Sequence, residues 1–156
     1  MSEANGGINR RVRAILLSRG GCLLLVKRVR PGGEPYYVTP GGGVEATDRS
    51  AEDAVRREVR EEIGAEVALV GEALRLQHST EGRTTHETYF VCRLQHIDLG
   101  AKRGPEFDDE ARGQYFLEEL PLMPSVLTEL PIRPDELKTY LMSHYSDLFA
   151  LASAVC

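Results

Sequence analysis

Glu58, Glu61 and Glu62 stand at i, i+3 and i+4 in a run that reads as a helix over residues 50–63, so their carboxylates share one patch of helix surface. At about 100° per residue, Ala51, Val55, Val59 and Ile63 define the apolar arc of that helix. Glu62 falls inside the arc and Glu58 on its margin, with Arg56 just past the other margin and Asp53 and Arg60 pointing away. A solvated face would set its acids opposite the apolar stripe, whereas two of these three lean toward the protein body. Inward carboxylates repel one another and are poorly hydrated, so they need a cation or protons. Two or three oxygen ligands of this kind suit Mg²⁺ or Mn²⁺ rather than zinc. The reading that stays open is a solvated face knitted by exposed pairs, Glu52 with Arg56 and Arg57 with Glu61, which are common and nearly neutral in energy.

The helix needs supports that hold its acidic face against something. Ser50 is a good N-cap, Asp53 occupies the capping-box position, and Gly64 lies where a left-handed C-cap is required. Upstream, residues 11–18 and 22–27 read as strands joined by the turn signal Arg19-Gly20-Gly21, which makes a hairpin. Residues 31–35 form a Pro- and Gly-rich loop. The short β-prone stretch 36–38 then runs into Pro40-Gly41-Gly42-Gly43. These glycines are not a P-loop, because no Gly-Lys-Ser/Thr follows. Downstream, residues 66–74 and 86–94 read as strands, 100–109 as a polar loop, 114–117 as a short strand and 134–151 as a terminal helix with Pro near its first turn. No repeat or linker divides the chain, so the expected organisation is a flexible leader over residues 1–9 and a single domain over 10–152.

Composition narrows the function. The chain has 156 residues, 42% of them apolar, which supplies one core of ordinary domain size. Its formal net charge is −5, from 24 acidic and 19 basic residues. A protein that wraps a nucleic acid backbone carries the opposite balance. The acidic bias points to a small-molecule ligand, with a cation between protein and phosphate. Cys22, Cys92 and Cys156 are odd in number and widely spaced, so they form neither a zinc motif nor a disulfide framework. No apolar run approaches a membrane span, and the first residues lack a signal-peptide core. A soluble cytoplasmic protein is the expectation.

Gly43 stands upstream of Arg57-Glu58-Val59-Arg60-Glu61-Glu62-Ile63-Gly64-Ala65, and the whole segment resembles the Nudix box, G-x5-E-x7-R-E-U-x-E-E-x-G-U with U aliphatic. Gly43, Arg57, Glu58, Val59, Glu61, Glu62 and Gly64 match. Ala65 is a weak match, and Arg49 stands where the family has Glu. The stretch from Tyr37 to Glu45 is similar to the family's approach to the box, and Tyr115 to Leu120 to its late aromatic strand, so the resemblance spans residues 11–131. The resemblance implies an α/β Nudix fold, an α/β/α sandwich with a mixed sheet. It implies a Mg²⁺- or Mn²⁺-dependent hydrolase that cleaves the diphosphate of a nucleoside diphosphate linked to another moiety. The rival activities are a (d)NTP pyrophosphatase, a dinucleoside polyphosphate hydrolase, and a non-catalytic nucleotide-sensing domain. By the same resemblance Glu58, Glu61, Glu62 and the Gly42 carbonyl are the metal ligands. Glu58 can also serve as general base, or one of Asp109 and Glu110 can take that role. Arg57 braces the first Glu of the box. With Arg49 in that place the brace passes to Asp48, Asp53 or Glu45, and the loop is expected to be held less firmly. Arg28 and Arg30 could reach substrate phosphates, and His78, His86 and Tyr89 could line a base pocket or be ordinary sheet. The implied partner is a small nucleotide, with neither nucleic acid nor membrane, and a homodimer is compatible with the family.

Overall fold

The computed structural model describes residues 8–98 and 114–153. In chain order it contains β1 (Ile8–Ser18), β2 (Cys22–Val29), β3 (Tyr36–Val38), β4 (Gly41–Gly43), α1 (Ala51–Ile63), β5 (Ala65–Thr80), β6 (Arg83–Ile97), β7 (Gln114–Pro121), α2 (Pro124–Leu127) and α3 (Asp135–Ser153). The strands form one mixed sheet, with the central path β3-β2-β1-β6-β5. The β1–β6 pair is parallel and the other strand pairs are antiparallel.

The sheet is buried on both faces, which is why β1 reads as an unbroken apolar run rather than an alternation. Val12, Ala14 and Leu16 point to one side and pack with Ala54, Val55, Val59 and Ile63 of α1. Ile15 and Leu17 point to the other and pack with Leu127, Leu137, Leu141 and Leu148 of α2 and α3. This is the expected α/β/α sandwich, with one core on each side of the sheet. Among the described residues, no helix is long and apolar enough to cross a membrane.

One detail of the sheet positions the site. β1 and β2 pair only near their shared turn, where Leu16, Leu17 and Ser18 face Leu24, Leu23 and Cys22. Beyond that point the strands part, and β3 and β4 fill the fork. β3 pairs with β2 through Val26, Lys27 and Arg28, while β4 pairs with β1 through Arg11, Val12 and Arg13. Between them, the Pro40 carbonyl accepts from the Ala14 N–H at 2.8 Å. The glycine stretch is therefore stitched to the middle of the sheet.

The sequence reading needs correction at several edges. β1 begins at Ile8, inside the segment read as a leader, because Ile8 and Asn9 find parallel partners in Thr84 and Thr85. The strands expected over 66–74 and 86–94 are one long hairpin that continues to Glu81-Gly82. Glu81 and Gly82 have φ of 53° and 78°, the two positive values that a tight hairpin turn requires. The hairpin's tip, residues 77–80 and 83–86, is polar on both faces, so no apolar alternation announces it. The terse elements β4 and α2 were also missed, since three glycines and a four-residue helix leave no periodicity to read.

Candidate active site

Helix α1 is rotated about its axis by its own apolar stripe. Ser50 caps its start by accepting from the Asp53 N–H at 3.0 Å, and Gly64 ends it at φ 70°. Burial of Ala54, Val55, Val59 and Ile63 then turns Glu58 and Glu62 toward β4 and leaves Glu61 exposed. Glu62 Oε1 accepts from the Gly41 N–H at 2.8 Å. The Glu58 carboxylate lies flat against Gly42, so close that a Cβ there would sit 2.3 Å from it.

The three glycines therefore differ in kind. A Cβ at Gly41 would meet the Val12 carbonyl oxygen at 2.1 Å, so the sheet demands that glycine. Glu58 demands Gly42, and a Cβ at Gly43 would meet nothing within 4 Å. Burial pushes the Glu58 carboxyl above its ordinary range. Arg57 opposes that shift, and the neighbouring charges of Glu61 and Glu45 reinforce it.

Arg57 is the hub of the box. Its Nε and Nη2 donate to the two Asp48 oxygens, each at 2.9 Å, in a bidentate pair. Nη2 also donates to the Gly43 carbonyl at 3.0 Å, and Nη1 donates to Glu58 and Glu61 at 3.1 Å each. Glu45 approaches the same Nη1 at 3.5 Å. Asp48 further accepts from the Glu45 N–H at 2.8 Å. The bond from Arg57 holds the Asp48 carboxyl down at about 2, and the Glu45 N–H helps.

This resolves the one mismatch in the motif. Asp48 takes the bracing role, while Arg49 is exposed and outside the network. Counted from Gly42, the spacing to Asp48 is again x5, and one extra residue lies between Asp48 and Arg57. The expectation of a loosely held loop is thus overturned, because a bidentate ion pair with a nearly buried carboxylate holds it (Asp48 side chain 5% exposed).

Among the described residues, no three His, Cys, Asp or Glu side chains converge as a ready cation cage. Glu58 and Glu61 both turn to Arg57 Nη1, and Glu62 turns to Gly41. The donor set nevertheless fits a hard divalent cation in kind. It is all oxygen, it includes a desolvated carboxylate, and the backbone at Gly42 is stripped of any Cβ beside that carboxylate.

The strand, glycine turn, braced loop and acidic helix together match a known domain: the model of the NUDIX domain covers residues 7–136. The chain belongs to the Nudix hydrolase family. Its fold is similar to the solution structure of the E. coli ORF135 protein, with TM-score 0.64, 23% identity, and 94% of this chain and 97% of that chain covered. It is also similar to a MutT protein from Methanosarcina mazei Go1, with TM-score 0.63, 17% identity, and coverage of 90% and 94%. A UDP-X diphosphatase structure aligns with TM-score 0.61 at 16% identity, covering 89% of this chain and 63% of that one. No curated protein matches the chain in sequence.

The remaining candidates of this Nudix hydrolase sort by position. Asp109 and Glu110 lie outside the described residues. Arg28 sits over the Tyr115 ring at 4.5 Å from its centroid, and its buried Nε has no hydrogen-bond partner among the described residues. Arg30 and Arg133 both lie over the Tyr36 ring, at 5.7 and 4.1 Å. The three expected base-pocket residues divide between two cavities. His86 lines one of about 730 Å³ beside the start of α1, with Arg10, Arg11 and Arg75. His78 and Tyr89 line one of about 210 Å³ that also contains Arg13, Thr39 and Arg133. Sequence reasoning missed Arg13 and Glu87, which meet at 2.8 Å. The available signal was their strand parity: each lies on the face of its strand that carries core residues, Ile15 and Leu17 in one case and Tyr89 and Val91 in the other.

Proposed function

We propose that this Nudix hydrolase uses Mg²⁺ or Mn²⁺ to cleave the diphosphate of a nucleoside diphosphate linked to another moiety X, releasing a nucleoside monophosphate and phosphorylated X. The observation that carries the reading is the Glu58 carboxylate, desolvated against Gly42 beside Arg57 and the charges of Glu61 and Glu45. Glu58, Glu61, Glu62 and the Gly42 carbonyl would hold the cation. Held there, such a cation would supply positive charge against the diphosphate and acidity to the attacking water.

The protein's own groups do the rest. Glu58, whose carboxyl is already raised by burial, is suited to accept the proton of the attacking water, because a base works best with a pKa nearer the operating pH. Arg57 fixes where that carboxylate points and, through Asp48, ties it to the loop. Glu62 holds the glycine turn through Gly41. Arg28 supplies a cation with donor capacity to spare, stiffened against Tyr115, for a substrate phosphate. The structural likeness to a UDP-X diphosphatase supports this choice of substrate class only in that such chemistry is carried on the same fold. The domain assignment of residues 10–152 extends to Ile8 on the same reading.

The test is a panel of nucleotide sugars, dinucleoside polyphosphates and (d)NTPs with Mg²⁺, scored by product analysis. The expected result is a nucleoside monophosphate plus a phosphorylated X, abolished by a chelator and restored by Mg²⁺ or Mn²⁺. Full turnover in chelator refutes the metal mechanism. A clear preference for (d)NTPs with pyrophosphate release refutes the substrate class.

A further inference from the structure

The smaller cavity, of about 210 Å³, lies on the sheet face opposite α1 and has a carboxylate at a core position. Glu87 is only 8% exposed, in strand alternation with Tyr89 and Val91, where an aliphatic side chain is expected. Its Oε2 accepts from Arg13 Nε at 2.8 Å. Arg11 Nε stands 3.9 Å from the same oxygen, and among the described residues Oε1 has only the Tyr89 hydroxyl at 3.4 Å and the His78 Nε2 at 3.7 Å, long contacts for a group that can accept about four hydrogen bonds. A buried ion pair rarely stabilises a fold more than apolar residues of equal volume, so stability does not account for the acid. Arg13 has a structural task, since its Nη1 donates to the Thr39 carbonyl at 3.1 Å and holds the chain just before the glycine turn. Glu87 has acceptor capacity left over beside a cavity.

The cavity holds the volume of about seven waters, too roomy for an ion and enough for a flat heterocycle. Its position suits a nucleoside. Thr39 lines the cavity and Gly42 touches Glu58, and three residues of extended chain span at most about 10 Å. A base in the cavity therefore sets its diphosphate near the acids. Arg133 reaches the same cavity on a segment clamped to β3, where the Tyr37 N–H donates to Pro131 and the Arg133 N–H to Tyr37, both at 2.9 Å.

Building on the nucleotide reading above, we propose that Glu87 selects the base of the substrate and that the base is guanine. A carboxylate facing a ligand edge asks for adjacent N–H donors. Guanine presents two, N1–H and the 2-amino group, with O6 beside them for Arg133 or His78. Adenine and cytosine place one amino donor next to a ring nitrogen whose lone pair would face the carboxylate. Uracil offers one N–H between two carbonyls.

Two measurements test this. The first is calorimetric binding of GMP, IMP, AMP, CMP and UMP to the metal-free protein. GMP should bind best, IMP about 10-fold more weakly because it lacks the 2-amino donor, and the others more weakly still. The second is hydrolysis of GDP-, ADP-, CDP- and UDP-glucose by the wild type and by Glu87→Gln, whose amide still accepts from Arg13 but repels one ligand donor. The wild type should favour the guanine substrate by about 10²-fold, and the variant should lose at least about 10-fold of that preference through KM, with a lowered Tm because Arg13 keeps its hydrogen bond but loses its counter-charge. A wild type that prefers another base, or binds IMP as well as GMP, overturns the proposal while leaving the hydrolase reading intact. Retention of the guanine preference by a folded Glu87→Gln overturns the role of Glu87. If no diphosphate is cleaved, the hydrolase reading fails, and the GMP and IMP affinities still decide this one. Those affinities need no variant, so a variant that does not fold leaves the decision to them.

Discussion

Gly42→Ala isolates the contact on which the active site is built. The new Cβ would lie 2.3 Å from the Glu58 carboxylate, where ordinary contact begins at 3.4 Å. Something must retreat by roughly 1 Å, a displacement that can cost about 10²-fold in rate when it falls on a catalytic group. The yielding partner is the flexible end of Glu58 rather than the backbone, so the fold should survive. Overpacking costs about 1–3 kcal/mol, and alanine regains about 0.4–1 kcal/mol by restricting the unfolded chain. The net loss of about 1 kcal/mol lowers Tm by about 2–4 °C in a domain of this size. The assay is kcat and KM on the best substrate beside a thermal melt, for Gly42→Ala, Glu58→Gln and the double variant. Because both changes act on one carboxylate, the double variant should be little worse than Glu58→Gln alone. A fully active Gly42→Ala, or a double variant whose losses multiply, would show that the Glu58–Gly42 contact does not position the catalytic acid.

The neighbouring glycines should respond differently: Gly41→Ala drives a Cβ into the Val12 carbonyl and should lower Tm far more than Gly42→Ala, while Gly43→Ala should be tolerated in melts and kinetics alike. Arg49→Glu should leave Tm and turnover nearly unchanged, because Asp48 already occupies Arg57, whereas Asp48→Asn should lower both; a gain of several degrees from Arg49→Glu would refute the Asp48 brace. Asp48 is held down at about 2 from an ordinary value near 4, so its contribution to stability is complete above about pH 4 and vanishes as pH falls through about 2. Acid melts of wild type and Asp48→Asn should therefore converge in that window. Glu58→Gln removes a desolvated charge and should hold or raise the metal-free Tm at neutral pH while turnover falls by about 10²-fold.

The box helix was legible because everything that defines it is local. Ser50, Gly64 and the spacing of Val55, Val59 and Ile63 set its ends and its buried stripe, and that stripe alone dictates that Glu58 and Glu62 lean inward. Glycine identity at positions 41 and 42 was visible too, but not its cause. The reasons are the Val12 carbonyl, 29 residues before Gly41 in the sequence, and the Glu58 carboxylate, 16 residues after Gly42. The sequence left Asp48, Asp53 and Glu45 open as the bracing acid, since motif counting assumes a fixed loop length and only the folded loop shows that Asp48 meets Arg57. Arg13 and Glu87 were passed over for a related reason: 74 residues apart, they become partners only when β1 and β6 pair in parallel. By itself the sequence determined the helix, its acidic face and the family, because those rest on periodicity and spacing along one segment. Tertiary structure alone decided which acid braces the loop, why each glycine is required, and that a charged pair faces a cavity behind the sheet. The brace arises from the path of the folded loop, the glycine contacts and the charged pair from the packing and pairing of segments distant in the sequence, and no local pattern encodes any of these.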